Sequence, residues 1–216
     1  MNPQPGLEAI LLAAPVIPVV IIDALAQAVP LARALVAGGL PVIEITLRTA
    51  AGLEAIRAIA AEVPEAIVGA GTVLDAAQLA AVTQAGARFA VSPGATPNLF
   101  AAATGEKISL LPGIATASEA MILIERGYRF AKLFPAEPSG GAAWLAAIAS
   151  PLPQLRFCPT GGITLESAPR YLKLPNVICV GGSWMVNRNT IAASDWSAIT
   201  AAAMQAAALR EFLQKP

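Results

Sequence analysis

The apolar positions of this chain follow two alternating periods. Short runs rich in Val, Ile and Leu are separated by segments of about ten to fifteen residues with the three- and four-residue spacing of amphipathic helices. Strands are predicted at 15–22, 42–47, 66–72, 88–93, 108–113, 129–134, 155–160 and 177–182. Helices are predicted near 25–37, 51–63, 75–85, 97–103, 117–126, 141–149, 165–172 and 191–213.

Eight alternating strand–helix units are typical of a parallel sheet that closes on itself inside a ring of helices. The predicted fold is therefore α/β, a single (β/α)8 TIM barrel over residues 1–216 with a short N-terminal helix. In this fold the loops at the carboxyl ends of the strands carry function. The ends of the third helix can also be predicted, because Asp75 is a typical N-cap residue and Gly86 is typical of a helix C-terminus.

The stretch from Leu7 to Ile22 is apolar enough to resemble a signal peptide or a membrane span. However, Glu8, Pro15 and Pro18 interrupt it and no basic segment precedes it, so a short helix followed by a strand is predicted instead. Without an export signal, the expected location is the cytoplasm.

The amino-acid composition indicates which classes of binding partner to expect. The formal net charge is zero, which gives no electrostatic footprint for nucleic acid or for anionic lipid. Hydrophobic residues make up 56% of the chain and charged residues only 13%, so additional surface is expected to be buried between copies of the chain. The segments Trp196–Leu209 and Ala120–Ile124, which carry almost no charge, are candidates for that interface.

The chain contains no histidine and only two cysteines. Ser-His-Asp triads, Cys-His dyads and His-ligated zinc are therefore excluded. Cys158 and Cys179 lack the spacing of a metal site, and no Asp or Glu cluster at the strand ends is suited to magnesium. No metal and no cofactor is expected.

Two charged residues lie inside otherwise apolar strands. Lys132 is in 129–134, although the chain has only four lysines, and Glu44 is in 42–47. A buried ammonium is costly unless it is paired or loses its proton, and an unprotonated lysine is a nucleophile that forms Schiff bases. Glu44 could act as acid and base beside it. The alternative is a structural ion pair without chemistry.

Side chains alternate along a barrel strand, so Lys132 shares a face with Phe134, and Glu44 shares a face with Thr46. A glutamate on the second strand and a lysine on the sixth strand can meet only if both side chains point into the barrel. The prediction of a shared site therefore depends on the inward orientation of both residues.

The last two strands end in glycine-rich segments. Backbone N–H groups exposed by such segments after the seventh and eighth barrel strands commonly bind phosphate. A phosphate site is predicted here, formed by Gly161, Gly162, Gly182 and Ser183. The alternative is that these are ordinary turn glycines.

Other candidates lie at the strand ends. The guanidinium of Arg48 could hold a carboxylate in bidentate fashion, or could instead cap the sheet or pair with Glu44. The hydroxyls of Thr72 and Thr160 are placed to position a keto acid, although threonine is also a common strand residue. Pro93 and Phe134 complete the predicted substrate-binding set, although such side chains more often belong to the core.

Several ordered motifs lie at the strand ends. They are Glu44-Ile-Thr-Leu-Arg48, Val68-Gly-Ala-Gly-Thr-Val73, Val91-Ser-Pro-Gly94, Leu111-Pro-Gly113, Lys132-Leu-Phe-Pro-Ala-Glu137, Phe157-Cys-Pro-Thr-Gly-Gly162 and Gly181-Gly-Ser-Trp184. Together they resemble the 2-keto-3-deoxy-6-phosphogluconate (KDPG) and 4-hydroxy-2-oxoglutarate (KHG) aldolases, and the resemblance runs from about residue 8 to residue 210. The resemblance implies a homotrimeric barrel that reversibly cleaves KDPG into pyruvate and glyceraldehyde 3-phosphate without a metal.

The resemblance also assigns roles. Lys132 matches the Schiff-base lysine and Glu44 the acid/base residue. The remaining matched positions contact the substrate: Arg48 and Thr72 hold the pyruvyl carboxylate, Thr160 lies near the imine, and Gly161, Gly162 and Ser183 hold the phosphate. Ala115 and Ala95 depart from the family pattern, where serine and a larger aliphatic residue are usual, so they bear on substrate choice.

Two further readings remain. A phosphate-binding barrel isomerase or epimerase would use Glu44 as its base and Lys132 only as an electrostatic partner. Alternatively, the same trimeric barrel could be engineered as a self-assembling scaffold whose outer helices were re-surfaced with apolar residues, which predicts a particle larger than a trimer.

Overall fold

A computed structural model of the protein describes residues 3–213. Within this range the strands are β1 (Val16–Val20), β2 (Val42–Thr46), β3 (Ile67–Gly71), β4 (Phe89–Val91), β5 (Ser109–Leu111), β6 (Gly113–Ile114), β7 (Phe130–Leu133), β8 (Arg156–Pro159) and β9 (Val180–Gly182). The helices are α1 (Leu7–Leu12), α2 (Ala28–Ala37), α3 (Gly52–Glu62), α4 (Ala76–Gln84), α5 (Pro97–Gly105), α6 (Ala117–Glu125), α7 (Gly141–Ala149), α8 (Ala168–Leu172), α9 (Arg188–Ala192) and α10 (Trp196–Ala208).

The strands form a closed ring. One sheet has the order β5-β4-β3-β2-β1-β9 and the other the order β6-β7-β8, with every pairing parallel. The bridges Phe157–Val177 and Thr160–Gly181 join β8 to the strand segment that leads into β9. At the other junction β5 and β6 follow each other in the chain and form one barrel strand. The α/β barrel predicted from the sequence is confirmed.

Two elements differ from their predicted form for local reasons. The predicted strand 108–113 is divided into β5 and β6 by Pro112, which has no N–H to donate to the ladder, although its carbonyl still accepts from the Lys132 N–H at 2.8 Å. The predicted helix 191–213 is divided into α9 and α10, because Ser194 has a positive φ of 54°. The Asp195 side chain caps α10 by accepting from the Ala198 N–H.

The predicted helix signals are otherwise confirmed. Asp75 accepts from the Gln78 N–H at 2.8 Å, and Gly86 ends the same helix with a φ of 90°. In α3, Ile56, Ile59 and the following Val63 are buried against the sheet. The core therefore has two layers, one inside the barrel and one between the sheet and the helices.

The N-terminal stretch forms α1 and then β1, as the proline positions predicted. None of the helices in residues 3–213 combines the length and the apolar character that a membrane crossing requires.

Gln4 closes the lower end of the barrel next to the interrupted strand. Its side chain is 2% exposed. Its amide nitrogen donates to the carbonyls of Leu110 and Phe130, and its oxygen accepts from the N–H groups of Arg129 and Phe130, all at 2.9 Å. The Ser109 hydroxyl also donates to the Pro5 carbonyl at 2.8 Å. The N-terminal arm therefore supplies hydrogen bonds that a neighbouring strand would otherwise provide.

We predict that Gln4→Leu destabilises the fold by about 2 kcal/mol, because backbone groups of β5 and β7 lose their buried partners. Urea unfolding followed by circular dichroism would measure this. Gln84→Leu, at an exposed position of α4, makes the same side-chain change and should alter the free energy of unfolding by less than about 0.5 kcal/mol. Equal effects of the two substitutions would contradict the closing role of Gln4.

Candidate active site

The Lys132 ammonium and the Glu44 carboxylate meet inside the barrel. Lys132 Nζ lies 3.2 Å from Glu44 Oε1, and both side chains are 4% exposed. Lys132 is the register partner of Gly113 on β6 and of Cys158 on β8, while Glu44 is the partner of Val19 on β1. The two charges that stood out in apolar strands therefore do point inward, as the alternation predicted.

A glycine makes room for Glu44. A Cβ atom at Gly71 would lie 2.2 Å from Glu44 Oε1, a distance that no real contact tolerates. Any other residue at position 71 would push the carboxylate away from Lys132. The glycine at position 71 of β3 is thus required by the close approach of the Glu44 side chain.

A polar cavity of about 120 Å³ opens above this pair at the carboxyl ends of the strands. It is lined by Val19, Arg48, Phe134, Thr160, Gly161, Gly162, Ile163, Gly181, Gly182 and Ser183. Lys132 and Glu44 do not line this cavity but adjoin residues that do, since the Phe134 ring centre is 5.1 Å from Lys132 Nζ and Val19 is the strand partner of Glu44. A small molecule in the cavity would have the amine beneath it.

Arg48 is positioned by Thr72. Its Nε donates to Thr72 Oγ1 at 3.2 Å, so it does not use Glu44 as its partner, and its side chain lines the cavity. Thr72 has a φ of 61°, which is a strained conformation for a β-branched residue. Strain of this kind persists where the surrounding structure fixes a side chain in place, here a hydroxyl beside a guanidinium.

The segment after β8 presents backbone donors to the cavity. Gly161 and Gly162 have φ values of 107° and 82°, which only glycine adopts readily. Among residues 3–213 no protein group accepts from the N–H of either glycine. The Ser183 side chain is exposed and lines the same cavity, on the segment after β9. This arrangement is suited to an anion with several oxygens.

The structure brings most of the predicted site residues to one place. Seven of them line the cavity, Thr72 contacts Arg48, and Lys132 and Glu44 form the base below. Pro93 is half-buried at the end of β4 and is absent from the cavity lining; its carbonyl lies against Gly113. Val19 in β1, Ile163 in the loop after β8 and Gly181 in β9 also line the cavity but were not predicted, because aliphatic residues and a strand glycine carry no chemical signal.

Sequence reasoning also missed a cluster beside the glycine segment. The Tyr171 hydroxyl donates to Glu137 Oε1 at 2.6 Å, and the Arg170 guanidinium pairs with the same carboxylate. These hydrogen bonds, that from Tyr171 first, lower the pKa of Glu137. Burial and the bond to Glu137 raise the pKa of Tyr171 to about 12. The only signal in the sequence was the position of Glu137 at the end of the Lys132 motif.

Both cysteines are buried free thiols inside the described structure. Burial, followed by a hydrogen bond to Cys158, raises the pKa of the Cys179 thiol well above its ordinary value. A thiol in this environment is a weak nucleophile. Within residues 3–213, Cys, Asp and Glu side chains form no cluster of three that could hold a metal ion.

Comparison with known proteins gives a consistent answer. The family model of the KDPG and KHG aldolases matches residues 7–202. The chain is 54% identical over 207 residues to the 2-dehydro-3-deoxy-phosphogluconate aldolase of Dickeya dadantii, covering 96% of this chain and 97% of the relative. It is 53% identical over 205 residues to the KHG/KDPG aldolase of Escherichia coli K12, covering 95% and 96%.

A solved structure of a related protein is also similar to this chain, in both fold and sequence. The KDPG aldolase of Legionella pneumophila, with pyruvate captured at low pH as a covalent carbinolamine intermediate, superposes with a TM-score of 0.91 at 45% identity. The superposition covers 96% of this chain and 98% of the other. The chain belongs to the KDPG and KHG aldolase family. The resemblance seen in the sequence motifs is confirmed, and the protein is an aldolase, which is a carbon–carbon lyase.

For this aldolase, the strained conformation of Thr72 predicts an unusual order of stabilities. Thr72→Gly should be more stable than Thr72→Ala by about 1 kcal/mol, because glycine adopts a positive φ without penalty and this gain exceeds its greater unfolded-state entropy. Chemical denaturation of the two variants would measure the difference.

Thr200 supplies the matched control. It lies within α10, where its hydroxyl donates to the Ala34 carbonyl at 3.0 Å, so both substitutions again remove one hydroxyl. There the order should reverse, with Thr200→Gly less stable than Thr200→Ala by about 1 kcal/mol. If Thr72→Gly were also less stable than Thr72→Ala, Thr72 would carry no backbone strain.

Proposed function

We propose that this protein cleaves KDPG reversibly into pyruvate and glyceraldehyde 3-phosphate through a Schiff base on Lys132. The observation that carries the proposal is the buried Lys132–Glu44 pair beneath a cavity lined by Arg48 and by free backbone donors. The amine of Lys132, the carboxylate of Glu44 and the anion site would act on the carbonyl, the C4 hydroxyl and the phosphate of a phosphorylated 2-oxo acid.

The reaction begins when the unprotonated amine of Lys132 attacks the C2 carbonyl. A carbinolamine forms and loses water, and Glu44 transfers the protons that this dehydration requires. Its distance of 3.2 Å from the amine allows direct transfer in the first step. The product is a positively charged imine whose nitrogen withdraws electrons from C3.

Bond cleavage follows from that electron withdrawal. Glu44 takes the proton of the C4 hydroxyl, the C3–C4 bond breaks, and C4 becomes the aldehyde carbon of glyceraldehyde 3-phosphate. The bonding electron pair moves to the imine nitrogen and leaves an enamine. Glu44 returns a proton to C3, and hydrolysis of the imine releases pyruvate from Lys132.

The remaining residues orient the substrate. Arg48, whose Nε is bonded to Thr72, would bind the carboxylate of the 2-oxo acid, and Thr160, which lines the cavity, would lie close to the imine. Gly161, Gly162, Gly182 and Ser183 would bind the phosphate. Orientation of this kind contributes several kcal/mol to lowering the barrier. KHG lacks the phosphate and uses the same amine and carboxylate, so it is proposed as a second substrate.

Borohydride reduction in the presence of pyruvate tests the Schiff base. We expect a stable adduct of one pyruvate on Lys132, located by peptide mass mapping, because borohydride reduces the imine to a secondary amine. Lys132→Ala should abolish trapping, whereas Lys173→Ala, at an exposed lysine after α8, should not affect it. The absence of an adduct in the unaltered protein would favour the isomerase reading, in which Lys132 is only an electrostatic partner.

Glu44→Gln separates the role of the carboxylate from that of the amine. It should lower kcat by roughly a hundredfold to ten-thousandfold, since proton transfer loses its acid and base, while some pyruvate is still trapped on Lys132. Stopped-flow measurement of pyruvate release would show this. An unchanged kcat would remove Glu44 from the mechanism.

We infer that the protein is a cytoplasmic homotrimer. Met121 and Ile122 on α6 and Met204 on α10 are exposed apolar side chains, which supports contact between copies. Light scattering should give about 66 kDa, three times the chain mass of 22.0 kDa. A particle several times larger would instead support the engineered scaffold, in which these helix faces form an additional interface.

A further inference from the structure

The Glu137 cluster joins three segments around the cavity rim. Glu137 lies in the loop after β7, Tyr171 lies in α8, and Gly162 follows β8. The Tyr171 side chain is fully buried, so its hydroxyl is held in place by the packing of α8. The Glu137 carboxylate, bonded to this hydroxyl at 2.6 Å, is therefore fixed relative to the barrel.

The same residue touches the glycine segment. A Cβ atom at Gly162 would lie 2.8 Å from both Cβ and Cγ of Glu137, so the stem of Glu137 packs directly on Gly162. The Glu137 N–H donates to the Gly161 carbonyl at 3.0 Å, and the Ala136 N–H donates to the Thr160 carbonyl at 2.8 Å. Both contacts depend on where residue 137 is held.

These two backbone bonds fix the direction of the free donors. In a planar trans peptide the C=O and the N–H point in opposite directions. When the carbonyls of Thr160 and Gly161 point toward the loop after β7, the N–H groups of Gly161 and Gly162 point away from it. Thr160, Gly161 and Gly162 all line the cavity, so an anion bound there is within reach of these N–H groups.

The charge of the cluster also matters at this position. Glu137 is a carboxylate beside a segment that would bind an anion, and alone it would repel a phosphate. The Arg170 guanidinium pairs with it and offsets that charge. The cluster can therefore hold the segment without opposing the ligand.

We propose that Glu137, held by Tyr171, is a positioning residue that sets the affinity of this aldolase for the phosphate end of its substrate. The inference rests on the proposed function and deepens it. Glu137 acts through the backbone of Gly161 and Gly162 and has no part in the chemistry at Lys132, so its effect is confined to phosphorylated substrates.

The experiment compares KDPG with the unphosphorylated KHG in steady-state kinetics. Tyr171→Phe removes one hydroxyl and keeps the ring, and Glu137→Asp keeps the charge but withdraws it from Gly162. Each should raise the KM for KDPG roughly fivefold to tenfold, which corresponds to the loss of about one ordinary hydrogen bond. The kcat for KDPG and the kcat/KM for KHG should stay within about twofold.

The double variant tests whether the two residues act as one unit. If Tyr171 acts through Glu137, the KM of the combined variant should be no higher than that of the worse single variant. Multiplication of the two single effects would overturn this coupling. Tyr128→Phe is the matched control, since Tyr128 is also buried but packs against Phe100 on α5, and it should leave both substrates unaffected.

Other results separate this inference from the proposed function. Equal losses for KDPG and KHG in both single variants would overturn it, because the cluster would then only support the fold; so would an unchanged KM for KDPG. If Tyr171→Phe fails to fold, Glu137→Asp decides the question alone. A protein that traps pyruvate on Lys132 but does not prefer KDPG over KHG keeps its aldolase mechanism and loses the phosphate role, whereas a failure to trap removes the mechanism itself.

Discussion

The attraction between Lys132 and Glu44 is the interaction on which this structure depends. Neither charge would be tolerated alone in the interior of an apolar barrel, and each makes the burial of the other acceptable. The pair imposes three conditions on the surrounding structure. The side chains of Lys132 and Glu44 must both point into the barrel, and the ring must close so that β2 and β7 lie across the barrel from each other. Position 71 must lack a side chain. A residue pair of this kind carries a cost in stability that an apolar pair would avoid, which is consistent with its retention for chemistry.

Much of this site could be predicted from the sequence because its residues contradict their local surroundings. Lys132 and Glu44 are conspicuous in apolar strands, and the period of two along a strand is sufficient to predict that they share the barrel interior. The helix-end roles of Asp75 and Gly86 could also be predicted, since a helix cap depends on neighbours only a few residues away. Pro112 was visible too, but the length of the strand pattern concealed that its missing donor divides the strand.

What could not be predicted depends on contacts between distant segments. The sequence left three roles open for Arg48, and only the folded chain shows that its Nε donates to Thr72, a partner that the sequence did not indicate. Gln4 resembles any polar residue in an N-terminal arm, and its burial follows from the vacancy left beside β5. Glu137 and Tyr171 are separated by 33 intervening positions and meet only because α8 packs beneath the loop after β7. The contact between Glu137 and Tyr171 therefore depends on the fold and cannot be predicted from a local sequence pattern.

The hydrogen bonds of Gln4 also have a consequence for the order in which the chain folds. Its hydrogen-bonding partner Phe130 lies 126 positions further along the chain. Because synthesis runs from the N-terminus, Gln4 is made before Phe130, and its amide stays solvated by water until β7 has also been made. The hydrogen bonds of Gln4 can therefore close this end of the barrel only after β7 is in place.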